Sequence, residues 1–114
     1  MVKRNTVMSE PTYFVLAALL DGPLHGYGII KRAEAQSDGR VHLAVGTLYG
    51  ALDRLARDGL VVVDGEETVQ GRPRRYYRLT EDGRSAVTRE ALRLQQAAQV
   101  VTSRTTLLTG EAGA

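Results

Sequence analysis

Arg72, Arg74, Arg75 and Arg78 follow one another with no acidic residue among them. A guanidinium is always charged and presents a rigid fork of donors that matches two phosphate oxygens, so this strip suits contact with a nucleic-acid backbone. A surface that served solubility alone would mix the two signs. The formal net charge is only +2 with a sequence pI of about 9.2, so the placement of the charge says more than its sum. Clustered charge can also be a solvated strand edge. Against that, Arg72 and Arg74 flank Pro73 and follow Gly71, at the base of an expected hairpin tip, and these two are the expected phosphate contacts.

Other chemistry finds little support. The chain has no cysteine, so disulfides and thiolate metal sites are excluded. His25 and His42 are the only histidines, too few for a metal site without cysteine, and no Ser, His and acid combination has the spacing of a nucleophilic triad. No enzyme activity, metal or cofactor is expected, and His25 is assigned to a turn.

The elements that must position the arginines can be read from the pattern. With 114 residues, 43% hydrophobic and 25% charged, the chain has the balance of one small domain. A domain of this size gains by sharing apolar surface with a partner. The apolar run from Tyr13 to Leu20 is too short to cross a membrane, and no cleavage site for export follows Lys3 and Arg4, so the protein is expected in the cytoplasm. A first helix starts at the Ser9 cap, with Pro11 in its first turn, and closes at Asp21-Gly22-Pro23. A second runs from about His25 to Ser37, with Ile29, Ile30 and Ala33 inward. Val41 to Leu43 is expected as a very short strand.

A third helix follows from about Val45 to Asp58, stopped by Gly59. Leu48, Ala51, Leu52 and Leu55 give it an apolar face at i, i+3, i+4 and i+7 spacing. Gly46, Gly50, Asp53 and Arg57 lie opposite, flanked by Thr47, Arg54 and Tyr49. Asp53 would either accept from a cytosine amine or pair with Arg57 along the helix, and the ion pair is the expected role. Gly50 costs about 1 kcal/mol of helix stability relative to alanine, which fits close approach of a sugar-phosphate chain or simple tolerance. Leu60 to Val63 and Arg74 to Leu79 then form a hairpin around a polar loop from Asp64 to Gly71. Strand alternation turns Tyr77 and Leu79 to the core.

Thr80 caps a last helix that reaches about Leu108. Val87, Ala91, Leu94, Ala98, Val101, Thr105 and Leu108 recur at alternating spacings of four and three, a heptad seam suited to packing between two chains. The small Ala91 and Ala98 permit either close packing or an apolar cleft at the dimer axis, wide enough for a planar aromatic molecule.

The expected fold class is mainly α (α+β), a winged helix-turn-helix with a long C-terminal dimerisation helix. Residues 1–8 form a basic N-terminal arm, 9–80 the winged-helix DNA-binding domain, 81–108 the dimerisation helix and 109–114 a tail. In such a fold the third helix enters the major groove and the hairpin lies along the backbone, which adds Thr47, Tyr49, Gly50 and Arg54 to the expected DNA contacts. The same architecture also serves protein-interaction modules, where the basic strip would meet an acidic partner.

Leu24-His25-Gly26-Tyr27-Gly28-Ile29, Gly46-Thr47-Leu48-Tyr49-Gly50-Ala51-Leu52-Asp53-Arg54-Leu55 and Gly71-Arg72-Pro73-Arg74-Arg75-Tyr76-Tyr77-Arg78-Leu79-Thr80 stand in an order and spacing that resemble the PadR family of transcriptional regulators. The resemblance runs from about Thr12 to Arg84, and the chain length is similar to the short subfamily that includes multidrug-sensing repressors. It implies dimerisation through the last helix and the first, binding to an inverted-repeat operator, and in some members an effector at the dimer interface. It also implies that Tyr27 is the family's turn tyrosine, its hydroxyl meeting either a phosphate or a buried carbonyl. The chain departs from the pattern at Ala44 and Val45, where a capping residue and often a proline are usual. The third helix would then start later, with Thr47 as its own cap. Gly50 replaces a proline, and Leu94 stands where a tryptophan lines the drug pocket of some members. A constitutive repressor without effector is the alternative within DNA binding.

Overall fold

The computed structural model describes residues 8–109, with side chains through residue 105. Most of the basic N-terminal arm, the tail beyond residue 109 and the side chain of Leu108 therefore lie outside the described residues. The chain forms α1 (Glu10–Ala18), β1 (Leu24–His25), α2 (Gly26–Gln36), α3 (Val45–Arg57), β2 (Val61–Val69), β3 (Arg72–Leu79) and α4 (Glu81–Thr109). The strands make one antiparallel sheet in the order β1-β3-β2. This is a winged helix-turn-helix followed by a long helix.

Local chemistry explains the boundaries. The Ser9 hydroxyl accepts the Thr12 N–H at 3.2 Å and caps α1, while Gly59, at φ 77°, stops the chain after α3. At the start of α3 the Ala44 side chain makes no capping bond, yet the helix begins at Val45 and not after a cap at Thr47. Tertiary packing compensates for the missing cap, because Leu48, Ala51, Leu52 and Leu55 are all buried. They join Val15, Leu16, Leu19, Ile29, Val61, Tyr77 and Leu79 in a core over the sheet. Each large side chain buried in this way contributes about 1.5–3 kcal/mol.

Two sequence expectations change. Residues 41–43 form no strand. The buried Ser37 hydroxyl accepts the Val41 N–H at 2.9 Å and so takes the backbone group that a strand partner would have held. The short strand is instead Leu24–His25, paired with Tyr77 and Tyr76. The segment from Asp64 to Gly71 is also no loop. The wing stays paired to a tight turn at Gln70 and Gly71, whose φ values of 54° and 78° suit a two-residue hairpin turn. Cross-strand bonds hold this solvated ribbon together: Arg75 Nε donates to Glu66 at 3.2 Å, the Tyr76 hydroxyl to Glu67 at 2.7 Å, and Arg78 Nε to Asp64 at 2.9 Å.

A single side chain joins the end of α3 to the start of α4. The Thr80 hydroxyl donates to the Gly59 carbonyl at 2.6 Å and accepts the Gly83 N–H at 2.9 Å. One turn later Val87 is buried in the domain's own core. From residue 92 to residue 105 every side chain of α4 is exposed.

Candidate nucleic-acid interface

The outward face of α3 carries Gly46, Thr47, Gly50, Asp53, Arg54 and Arg57, all exposed. The pairing of Asp53 with Arg57 does not form. Among the described residues no ion pair joins them, as expected where an exposed i, i+4 pair gains only a few tenths of a kcal/mol against side-chain entropy. Arg54 and Arg57 therefore face solvent without an acidic partner.

Tyr49 lies at the edge of this face, 40% exposed, and leans toward the start of α2. It can do so because position 26 is glycine: a Cβ there would strike the Tyr49 hydroxyl. Tyr27 is 65% exposed, with the Lys31 ammonium 5.6 Å from its ring centroid, and its hydroxyl reaches no buried carbonyl.

Between these tyrosines and the wing lies a groove of about 310 Å³ lined by His25, Gly26, Tyr27, Tyr49, Val69, Gln70, Arg72, Pro73, Arg74 and Arg75, with no carboxylate among them. Arg75 is engaged by Glu66, and Arg78 by Asp64. Arg72 and Arg74 have no carboxylate partner among the described residues. The cross-strand pairs thus sort the arginine strip into structural and available members, which its spacing alone did not reveal. Partial burial and the nearby Arg74 charge hold the His25 imidazole below its ordinary pKa, offset in part by Glu67.

The groove gathers Tyr27, Tyr49, Arg72 and Arg74, whereas Thr47, Gly50 and Arg54 lie outside its lining on the open side of α3. His25, which the sequence assigns to a turn, belongs to it, as do Gly26 and Gln70, and none of the three is among the expected contacts. The only available signal was position, since His25 and Gly26 immediately precede Tyr27.

The heptad seam divides between two surroundings. Val87 is 3% exposed within the chain's own core, Ala91 is half-buried, and Leu94, Ala98 and Val101 are exposed. Leu92 and Val100, off the seam, are exposed as well. Beside Leu94 lies a mostly apolar hollow of about 370 Å³ between α1 and α4, lined by Met8, Tyr13, Phe14 and Leu94 with Glu10, Glu90 and Arg93. Hydrogen bonding from Arg93 holds the Glu90 carboxyl below its usual range. Among the described residues no helix is long and apolar enough to cross a membrane.

A model of the transcriptional regulator PadR-like family matches residues 15–89. The transcriptional regulator Rv3488 of Mycobacterium tuberculosis is 34% identical over 87 residues, covering 76% of this chain and 78% of that protein. An uncharacterized 37.1 kDa protein in transposon Tn4556 of Streptomyces fradiae is 48% identical over 83 residues, 73% of this chain and 22% of that protein. The chain thus spans about a fifth of that longer relative. Bacillus subtilis PadR, solved in complex with operator DNA, shares the fold with a TM-score of 0.63 at 21% identity, covering 71% of this chain and 45% of that one.

Proposed function

The chain belongs to the PadR-like family of transcriptional regulators, and from that premise we propose that it is a homodimeric repressor, without enzymatic activity, that binds an inverted-repeat operator in the cytoplasm. Residues 9–80 read DNA and residues 81–108 join two copies. The observation that carries this reading is the carboxylate-free groove in which Arg72 and Arg74 stand unpaired beside the outward face of α3. Arg72, Arg74, Tyr27 and Tyr49 hold phosphates and fix the register, while Thr47 and Arg54 meet base edges where Gly50 lets the duplex approach. Bacillus subtilis PadR, of the same fold, was solved with operator DNA, which supports the assignment.

A gel-shift selection from random-sequence duplexes tests it. The protein should enrich a palindromic site, and Thr47→Ala or Arg54→Ala should reorder the affinities of site variants by about 1–3 kcal/mol per contacted base pair. Binding to acidic polypeptides with no preference among duplexes would instead favour a protein-interaction module.

Dimerisation rests on the apolar side chains that α4 leaves uncovered, Leu92, Leu94, Val100 and Val101, together with α1. Sedimentation equilibrium at micromolar concentration should give a dimer, and Leu94→Asp should dissociate it by placing a charge in the seam. A wild-type monomer that keeps full helicity would refute the assembly. Within such a dimer, an aromatic or drug-like effector would lie between the α4 helices at Ala91, Leu94 and Ala98. It would act by shifting the distance between the two recognition helices.

A further inference from the structure

His25 is the one lining residue of the groove that changes charge near neutrality. Its backbone is fixed by pairing with Tyr76, and its ring meets the Tyr76 ring edge-on with centroids 5.4 Å apart. On its other side the ring packs against Gly28, where a Cβ would lie 3.5 Å from Nδ1 and from Cε1. The imidazole is thus held between strand and helix at the wall of the groove. From β3 it faces Arg74 and Tyr76, with Arg72 and Arg75 along the same wall. Glu67 faces it from β2, but that carboxylate already accepts the Tyr76 hydroxyl at 2.7 Å. Tyr49 of α3 and Tyr27 of α2 complete the surroundings.

In the free protein, partial burial and the Arg74 charge oppose protonation of this ring. A phosphate in the groove reverses that balance. Its negative charge offsets the guanidinium groups, and a protonated imidazole makes a charge-assisted hydrogen bond that a neutral one does not. We propose that His25 is a DNA-phosphate contact that takes up a proton on binding, so that affinity for DNA rises as pH falls through the neutral range. The proposal rests on the DNA-binding reading above. The imidazole titrates below its ordinary value in the free protein and at a higher value in the complex. Between those two values binding consumes a proton, so affinity falls with rising pH until the ring is neutral in both states.

The test uses the full chain and a duplex selected by it from a random pool. For each bound protomer, affinity should rise roughly tenfold from about pH 8 to about pH 6, and the salt slope should steepen by about 0.9 as its His25 neutralises one further phosphate. His25→Gln keeps a neutral hydrogen-bonding group and should bind alike at both values. His42→Gln, whose native Nε2 lies 3.6 Å from the Glu34 carboxylate, should keep the wild-type response. An NMR titration of the His25 ring, free and DNA-bound, gives the same reading without substitution and should show a higher midpoint in the complex. An unchanged midpoint, or a pH response that survives His25→Gln, overturns the proposal alone. Failure to bind any duplex at either pH overturns it together with the DNA-binding reading.

Discussion

Arg72→Ala combined with Arg74→Ala is expected to weaken binding to every duplex by about a hundredfold for each bound protomer of the proposed dimer at moderate salt, taking about 1.4 kcal/mol for each lost phosphate contact. The two guanidinium groups are the members of the strip that no carboxylate engages, and they line the groove beside α3. Because phosphates are the same at every site, the ranking of duplexes should stay as it is while all affinities fall. The dependence of log affinity on log salt should flatten by about 1.8 for each bound protomer, or 0.9 for each contact. Arg78→Ala is the informative control. Arg78 is held by Asp64 across the wing, so its loss should loosen the ribbon but leave the salt slope near the wild-type value. Fluorescence anisotropy across a salt series measures both quantities. An unchanged slope in the double variant would remove the wing from the DNA-binding surface.

That distinction among the arginines shows where sequence reading stops. Periodicity identified the buried face of α3 and the inward Tyr77 and Leu79, because burial on one side of an element imposes its period directly. It could not identify β1, since Leu24 and His25 are strand only through pairing with Tyr77 and Tyr76 far along the chain. The outer wing looked like a loop because Asp64, Glu66, Glu67 and Thr68 show no apolar alternation. A ribbon exposed on both faces needs none when its charges pair across strands. Val87 fits the heptad seam yet serves the domain's own core. Spacing names a face, but not the partner that covers it.

The site was legible in the same partial way. The guanidinium strip and the exposed side of α3 followed from residue types, whereas the groove needed three elements to converge. Gly26 is instructive here. Its value is the space it leaves for Tyr49, a residue from another helix, and no local rule of turn chemistry points to that contact. The role proposed for His25 likewise depends on the arginines that the wing brings to it.

Gly83→Ala should be the most damaging small substitution in the domain, lowering stability by about 3 kcal/mol or more. Helix propensity alone gives the opposite sign, since alanine in a helix is favoured over glycine by about 1 kcal/mol. Space decides the outcome. A Cβ at position 83 would collide with the Leu60 carbonyl oxygen and lie 2.9 Å from its carbon and 3.1 Å from Leu79 Cδ2. That carbonyl cannot turn aside freely, because it accepts the Thr80 N–H at 3.1 Å. Relief would require α4 to move away from the end of α3, stretching the bonds that Thr80 makes to Gly59 and Gly83 and unseating Val87. For a domain of this size the melting temperature should fall by roughly 10–20 °C. Gly50→Ala supplies the contrast: a Cβ there meets nothing within 4 Å, so the propensity term acts alone and should stabilise by about 1 kcal/mol. Thermal unfolding followed by circular dichroism, at matched protein concentration because the proposed dimerisation would contribute to apparent stability, compares the two. If Gly83→Ala melts as high as Gly50→Ala, the close contact between α4 and the Leu60 carbonyl is not what joins the long helix to the winged-helix domain.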